Sequence, residues 1–248
     1  MATLLIAGAT GLVGRQVLIQ ALGDPSWTRI VAPTRRALVG SAGSTGSQGS
    51  AGAQGSTGSA SAETDQALVQ AVASGRLDNP VVDFAVLPSS LFSGVDAVAC
   101  ALGTTMKVAG SKERFKAIDH GLVVALATAS KTAGIQRFGY VSSVGAKLDG
   151  ASFYLRVKAE IERDLTALGF GSLLILRPSF LGGERPESRP MERLGLGLFA
   201  ALKPLIPKRY RVVDAARVAA ALLDGLGAGA AGVTVLESEQ IQRAETKP

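Results

Sequence analysis

The chain has 248 residues, 47% of them hydrophobic, and a mean hydropathy of +0.28, enough for one large α/β domain or two small ones. A net charge of +6 and a pI near 9.7 would suit a polyanion. The basic residues are nevertheless scattered, dense only in TRR (34–36) and KRYR (208–211), and without a zinc-finger, homeodomain or aromatic RNA-binding signature nucleic acid is not the expected partner. One cysteine excludes an internal disulfide and fits a reducing cytoplasm, the expected compartment. No uncharged apolar run approaches the ~18 residues of a membrane helix, so no membrane association is expected.

The chain opens MATLLIAGATGLVGRQVL. Residues 3–7 read as a buried strand that breaks at Gly8, and Val13, Val17, Leu18, Ala21 and Leu22 recur at helical spacing over 12–22. Strand, glycine turn and helix make the context in which Gly8, Gly11 and Gly14 signal a bound dinucleotide. Gly8 serves the tight turn, Gly11 the approach of backbone to pyrophosphate, and Gly14 the close packing of helix on strand. Thr10, Leu12 and Val13 complete the turn, and the helix N-terminus offers free N–H groups to the phosphates. The second strand, 29–33, ends in RIVAPTRRAL, where a carboxylate for the ribose 2′-OH is missing. Arg35 and Arg36 stand there instead, which favours NADP(H) over NAD(H), because a guanidinium bonds a 2′-phosphate that a carboxylate would repel. The alternative is that one of the two only solvates the loop.

Residues 39–62 contain only Val, Gly, Ser, Ala, Thr and Gln, and read as a flexible insertion that cannot bury enough apolar surface to offset its ordering entropy. A helix is expected over 63–74, strands over 80–84 and 95–102, and a helix over 112–133. Cys100, inside VDAVACALG, reads as a packing residue. His120, the one histidine, leaves no histidine metal cluster, and no metal is expected. Strands over 136–142, 172–177 and 232–236 and helices over 153–168, 191–202 and 214–226 complete an alternation that predicts one doubly wound parallel sheet spanning 1–248, with a small substrate-covering subregion at 178–212.

The chemistry-bearing pair is Tyr154 and Lys158, at i and i+4 on one helix face. A nearby ammonium favours a phenolate, which suits a tyrosine to general acid–base work. Ser142 and Ser143 end the strand before that helix, where a hydroxyl can bond a substrate carbonyl.

With GATGLVG and YLRVK in place, the chain resembles the short-chain dehydrogenase/reductase superfamily in its extended or atypical branch. The segments ALGTT, VSSVGA, FYLRVKAEIE, LRPSFLGGERPESRP and VVDAARVA are similar to its Tat-interacting-protein-like subgroup. The resemblance covers nearly the whole chain outside 39–62. It implies that Ala101, Leu102, Gly103 and Thr104 border the adenosine side of the cofactor. It makes Tyr154 the proton donor or acceptor and Lys158 the holder of the nicotinamide ribose. Ser143, or alternatively Ser142, would bond the substrate carbonyl, and Pro178 with the residues after it would border the nicotinamide. Where many members carry an asparagine on the central helix, KAIDHG offers Asp119.

The expected function is that of an NADP(H)-dependent oxidoreductase for a small carbonyl or alcohol. The alternatives are a cofactor-sensing protein without catalysis and a nucleotide-sugar epimerase or dehydratase. Arg177, Arg185 and Arg189 would read an acidic group or pair with carboxylates such as Glu184 and Glu187. A monomer and a homodimer are both compatible with the sequence.

Overall fold

A computed structural model of the chain describes residues 2–38, 58–182 and 208–246. Its strands are β1 (Ala2–Ala7), β2 (Trp27–Val31), β3 (Leu77–Asp78), β4 (Ala97–Cys100), β5 (Arg137–Val141), β6 (Ser172–Arg177), β7 (Leu181–Gly182), β8 (Val213–Asp214) and β9 (Gly232–Glu237). Its α-helices are α1 (Leu12–Gly23), α2 (Gly58–Ala73), α3 (Met106–Ala109), α4 (Lys112–Lys116), α5 (Leu122–Thr132), α6 (Phe153–Ala167), α7 (Ala215–Ala228) and α8 (Ser238–Ile241).

Seven strands form one sheet in the order β3-β2-β1-β4-β5-β6-β9, every neighbouring pair parallel. That is the doubly wound order, in which the chain reverses direction across the sheet between β1 and β4 and leaves a crevice at their carboxyl ends. Strands buried on both faces need continuous apolar runs, and SLLILR and AVAC supply them. Alternation along β1 sends Leu4 and Ile6 to one face, with Val13, Val17 and Leu18 of α1 and Val218, Leu222 and Leu226 of α7. Leu5 and Ala7 face the other side, with Val123 and Leu126 of α5 and Val157 and Ile161 of α6.

The elements depart from the sequence reading in several places, among them the following. The strand expected at 80–84 is β3 at Leu77–Asp78, because Pro80 has no N–H to continue a ladder; only a bridge from Val81 to Thr34 follows. Helix α2 begins at Gly58, inside the expected insertion. The single helix expected at 112–133 is broken by a π-helical turn at Ala117–Gly121 between α4 and α5. The rest of the insertion (39–57), the helix expected at 191–202, residues 183–207 of the substrate-side subregion, and Arg185, Arg189, Glu184 and Glu187 lie outside the described residues.

Candidate active site

The glycine turn sits at the crevice. Gly8 has φ +93°, and a Cβ there would lie 2.7 Å from the Ala101 carbonyl oxygen, so the turn is pressed against the end of β4. The Gly11 N–H donates to the Gly8 carbonyl at 2.9 Å. A Cβ on Gly14 would fall 2.0 Å from that same oxygen, so the first turn of α1 lies directly on the loop. Helix α1 starts with no side-chain cap and no acidic residue in its first turn, which leaves its positive end open to an anion. Thr10 and Gly11 are exposed and Leu12 half-buried, whereas the Val13 side chain is in the core; only its backbone can face a ligand.

Beyond β2, Arg35 and Arg36 are exposed, and among the described residues neither guanidinium has a hydrogen-bond or ion-pair partner. Asp78, the nearby carboxylate on β3, is turned to Arg29 at 3.2 Å.

Across the crevice, α6 presents Tyr154 and Lys158 one turn apart. Tyr154 is half-buried, its ring 5.8 Å from that of Phe115, and among the described residues nothing bonds its hydroxyl. The Lys158 ammonium is buried, with Nζ 5.7 Å from the Tyr154 ring centre. It forms an ion pair with Asp119 Oδ2 at 2.8 Å and donates to the Tyr140 hydroxyl at 3.0 Å. Asp119 is fully buried on the π-helical turn, and its Oδ1 accepts the Thr104 N–H at 2.6 Å. π-Turns inside helices are frequent at functional sites, and here the extra residue coincides with the carboxylate that meets Lys158. The four residues after β4 thus reach the Tyr–Lys pair through Asp119: a Cβ on Gly103 would lie 3.5 Å from Asp119 Oδ1 and 3.9 Å from Lys158 Nζ.

The electrostatics follow from this burial. Desolvation opposes the charge of Lys158, but Tyr140, Asp119 and Tyr154 outweigh it and hold the ammonium above the ordinary lysine range. Burial pushes the Tyr140 phenol up, so at neutral pH Tyr140 is a neutral acceptor beside a charged lysine. Burial likewise raises the Cys100 thiol to about 12, which fits a packing residue.

The two serines at the end of β5 separate. Ser142 is buried and donates to Glu162 Oε1 at 2.5 Å. Glu162 in turn receives Arg177 through Nε at 3.0 Å and Nη2 at 2.5 Å, and Arg177 Nη1 reaches Glu237 at 2.9 Å. Arg177, expected to read an acidic group or pair with a surface carboxylate, is thereby tied to α6 and β9, and these carboxylates raise its pKa. Ser143 is half-buried with its hydroxyl unengaged among the described residues. Pro178 is buried, and its carbonyl accepts the Val144 N–H at 2.9 Å, which fixes the loop after Ser143. His120 bonds Asp164 at 2.8 Å across to α6. Tyr140 and Glu162 escaped the sequence reading; Glu162 alone left a signal, as the next turn of the Tyr154–Lys158 face.

No protein-family model matches the chain. It is 34% identical over 202 residues to "Protein fmp52, mitochondrial" of Aspergillus niger, which is 82% of this chain and 76% of that one. The chain belongs to the Fmp52 family. The Fmp52 relative from Eremothecium gossypii is 33% identical over 181 residues, covering 73% of this chain and 67% of its own length. Both relatives are named as mitochondrial proteins, which overturns the expected cytoplasmic location. A single cysteine reports a reducing milieu, not an address.

Among solved structures, this chain superposes on MoeE5 in complex with UDP-glucose and NAD with a TM-score of 0.63 and 17% identity, covering 95% of this chain and 75% of that one. A putative NAD-dependent epimerase/dehydratase of Bacillus halodurans gives 0.57 and 17%, over 98% and 99%. These likenesses establish the Rossmann-type fold. Among the described residues no helix is long and apolar enough to cross a membrane.

Proposed function

We propose that this Fmp52-family protein is a nicotinamide-dinucleotide-dependent oxidoreductase for a carbonyl or alcohol, of short-chain dehydrogenase/reductase type and akin to the Tat-interacting-protein-like subgroup, with NADP(H) as its preferred cofactor. The observation that carries the reading is the buried Lys158 ammonium fixed beside the Tyr154 ring by Asp119 and Tyr140, at the crevice mouth opposite the glycine turn. Three features fit a dinucleotide: the open end of α1, the exposed Gly11, and Arg35 and Arg36, whose guanidinia have no partner among the described residues. In this reading Gly8, Thr10, Gly11, Leu12, Val13 and Gly14 border the pyrophosphate, and Ala101–Thr104 and Pro178 border the rest of the cofactor. The relatives' names support a mitochondrial setting.

When bound, the nicotinamide supplies or accepts the hydride. Tyr154 moves the proton at the substrate oxygen, and its free hydroxyl is the one phenol of the site open to a ligand, since Tyr140 is buried. Lys158 provides the positive charge that stabilises the negative charge developing on the tyrosine oxygen. Ser143 donates to the same substrate oxygen, while Ser142 is held by Glu162. Asp119 holds Lys158 in its charged form and in place through their ion pair.

A panel of aldehydes and ketones, followed by NADPH absorbance, tests this. Tyr154→Phe should abolish turnover of any accepted substrate and leave NADPH binding within twofold. A Tyr154→Phe protein that turns over normally would overturn the assignment. Conversion of a nucleotide sugar to its epimer, followed by chromatography because epimerisation returns the hydride and leaves the NADPH absorbance unchanged, would favour an epimerase. Cofactor binding with no turnover on any panel would favour a sensing role.

A further inference from the structure

We propose that Asn79 is a specificity-determining positioning residue, shaping the turn that carries Arg35 and Arg36 and so setting the preference for a 2′-phosphorylated dinucleotide. The inference rests on the cofactor reading above.

The Asn79 amide spans the whole turn. Its Nδ2 donates to the Ala32 carbonyl at 2.6 Å and to Thr34 Oγ1 at 2.9 Å, and its Oδ1 accepts the Leu38 N–H at 2.7 Å. One side chain therefore ties the residues before, within and after the arginine pair. The reversed amide would set its oxygen against the Ala32 carbonyl and its NH₂ against the Leu38 N–H, so only one orientation satisfies all three partners. Thr34 relays the restraint: its Oγ1 donates to the Arg36 carbonyl at 2.6 Å. Thr34 is buried, and its backbone bonds Pro80 at 3.1 Å and Val82 at 2.9 Å. The chain of bonds runs from Asn79 through Thr34 to the backbone of Arg36.

The arginine side chains are the part of this turn left without partners among the described residues. Asp78, next to Asn79, is engaged by Arg29 and so does not draw them away. A turn whose backbone is already fixed loses less entropy when its guanidinia close on an anion, and the benefit is confined to a ligand that carries the anion. NADPH offers the 2′-phosphate and NADH does not.

Calorimetric titration with NADPH and with NADH tests the assignment on the wild type, Asn79→Ala, Thr34→Val and Thr34→Ser. The wild type should bind NADPH at least tenfold more tightly than NADH. Asn79→Ala and Thr34→Val should each lose about tenfold in NADPH affinity while NADH affinity stays within twofold, and Thr34→Ser, which keeps the hydroxyl, should retain the preference. A wild type without the preference overturns the NADP(H) reading and this inference together. A wild type with the preference, and both variants retaining it, overturns the inference alone. Equal losses for the two nucleotides also overturn it, because Asn79 would then serve the adenosine site or the fold. Should Asn79→Ala fail to fold, Thr34→Val decides.

Discussion

Substituting Gly14 by alanine sets two physical rules against each other. By helix propensity alone, Gly→Ala inside α1 stabilises by about 1 kcal/mol. The geometry predicts the reverse. The new methyl would lie 2.0 Å from the Gly8 carbonyl oxygen, 2.6 Å from its carbon and 3.1 Å from the Ala9 nitrogen. All three are backbone, and that oxygen already holds the Gly11 N–H, so it cannot turn aside. An ordinary C···O approach is about 3.3 Å, and the start of α1 has to retreat by roughly 1.3 Å to reach it. Overpacking against an unyielding neighbour costs about 1–3 kcal/mol, and a chain of this size loses about 2–4 °C of Tm per kcal/mol. Gly14→Ala should therefore lower the thermal midpoint by about 2–12 °C. Gly11→Ala is the control: its backbone is extended and its Cβ would meet only Gly8 O, at 3.3 Å. Gly11→Ala should leave the midpoint within about 2 °C and weaken NADPH binding at least tenfold. Thermal unfolding and calorimetry on the two variants suffice. A Gly14→Ala protein as stable as the wild type, or more so, would refute the packing argument.

Asp119→Ala leaves the Lys158 ammonium buried without its counter-charge and should cost about 3–5 kcal/mol in urea unfolding; a loss under about 1 kcal/mol would show that the pair contributes little. Stability should also fall in alkali. Lys158 and Tyr140 both hold their protons more tightly folded than unfolded, so their contribution is complete below the unfolded values near 10 and declines as pH rises above them, by about 1.4 kcal/mol per pH unit for each group. Urea midpoints measured from neutral pH upward should begin to fall above about pH 9, where the Cys100 thiol ionises only in the unfolded chain, and fall more steeply above about pH 10; a Lys158→Met protein should show a shallower drop above about pH 10.

The sequence made the sheet legible because its strands are short, apolar and separated by helical periods. SLLILR is β6 over the expected residues, and the turn after β1 stands where its glycines place it. Pairings made across elements were not legible. Glu162 and Arg177 belong to a helix and the following strand, and nothing in either segment names the other. The π-turn at Ala117–Gly121 has the composition of an ordinary helix, so the period of the surrounding residues hid the break; Asp119 is reached only through the family resemblance, and its pairing with Lys158 not at all. Asn79 carried no signal in the sequence, and its three bonds exist only once β2 and β3 are side by side. The two serines could be told apart only when Glu162 had claimed one.

Helix α1 is covered along one side by α7, through Val17 and Leu18 against Val218 and Leu222, and Gln20 Nε2 bonds the Ala216 carbonyl at 2.9 Å. Helix α1, ending at Gly23, leaves the ribosome well before α7, the helix that covers it, which begins at Ala215. At about 5–20 residues per second, α1 waits many seconds with an apolar helix face bare. That interval is when the chain would most need a chaperone, and a message truncated before α7 would yield a product that never covers it.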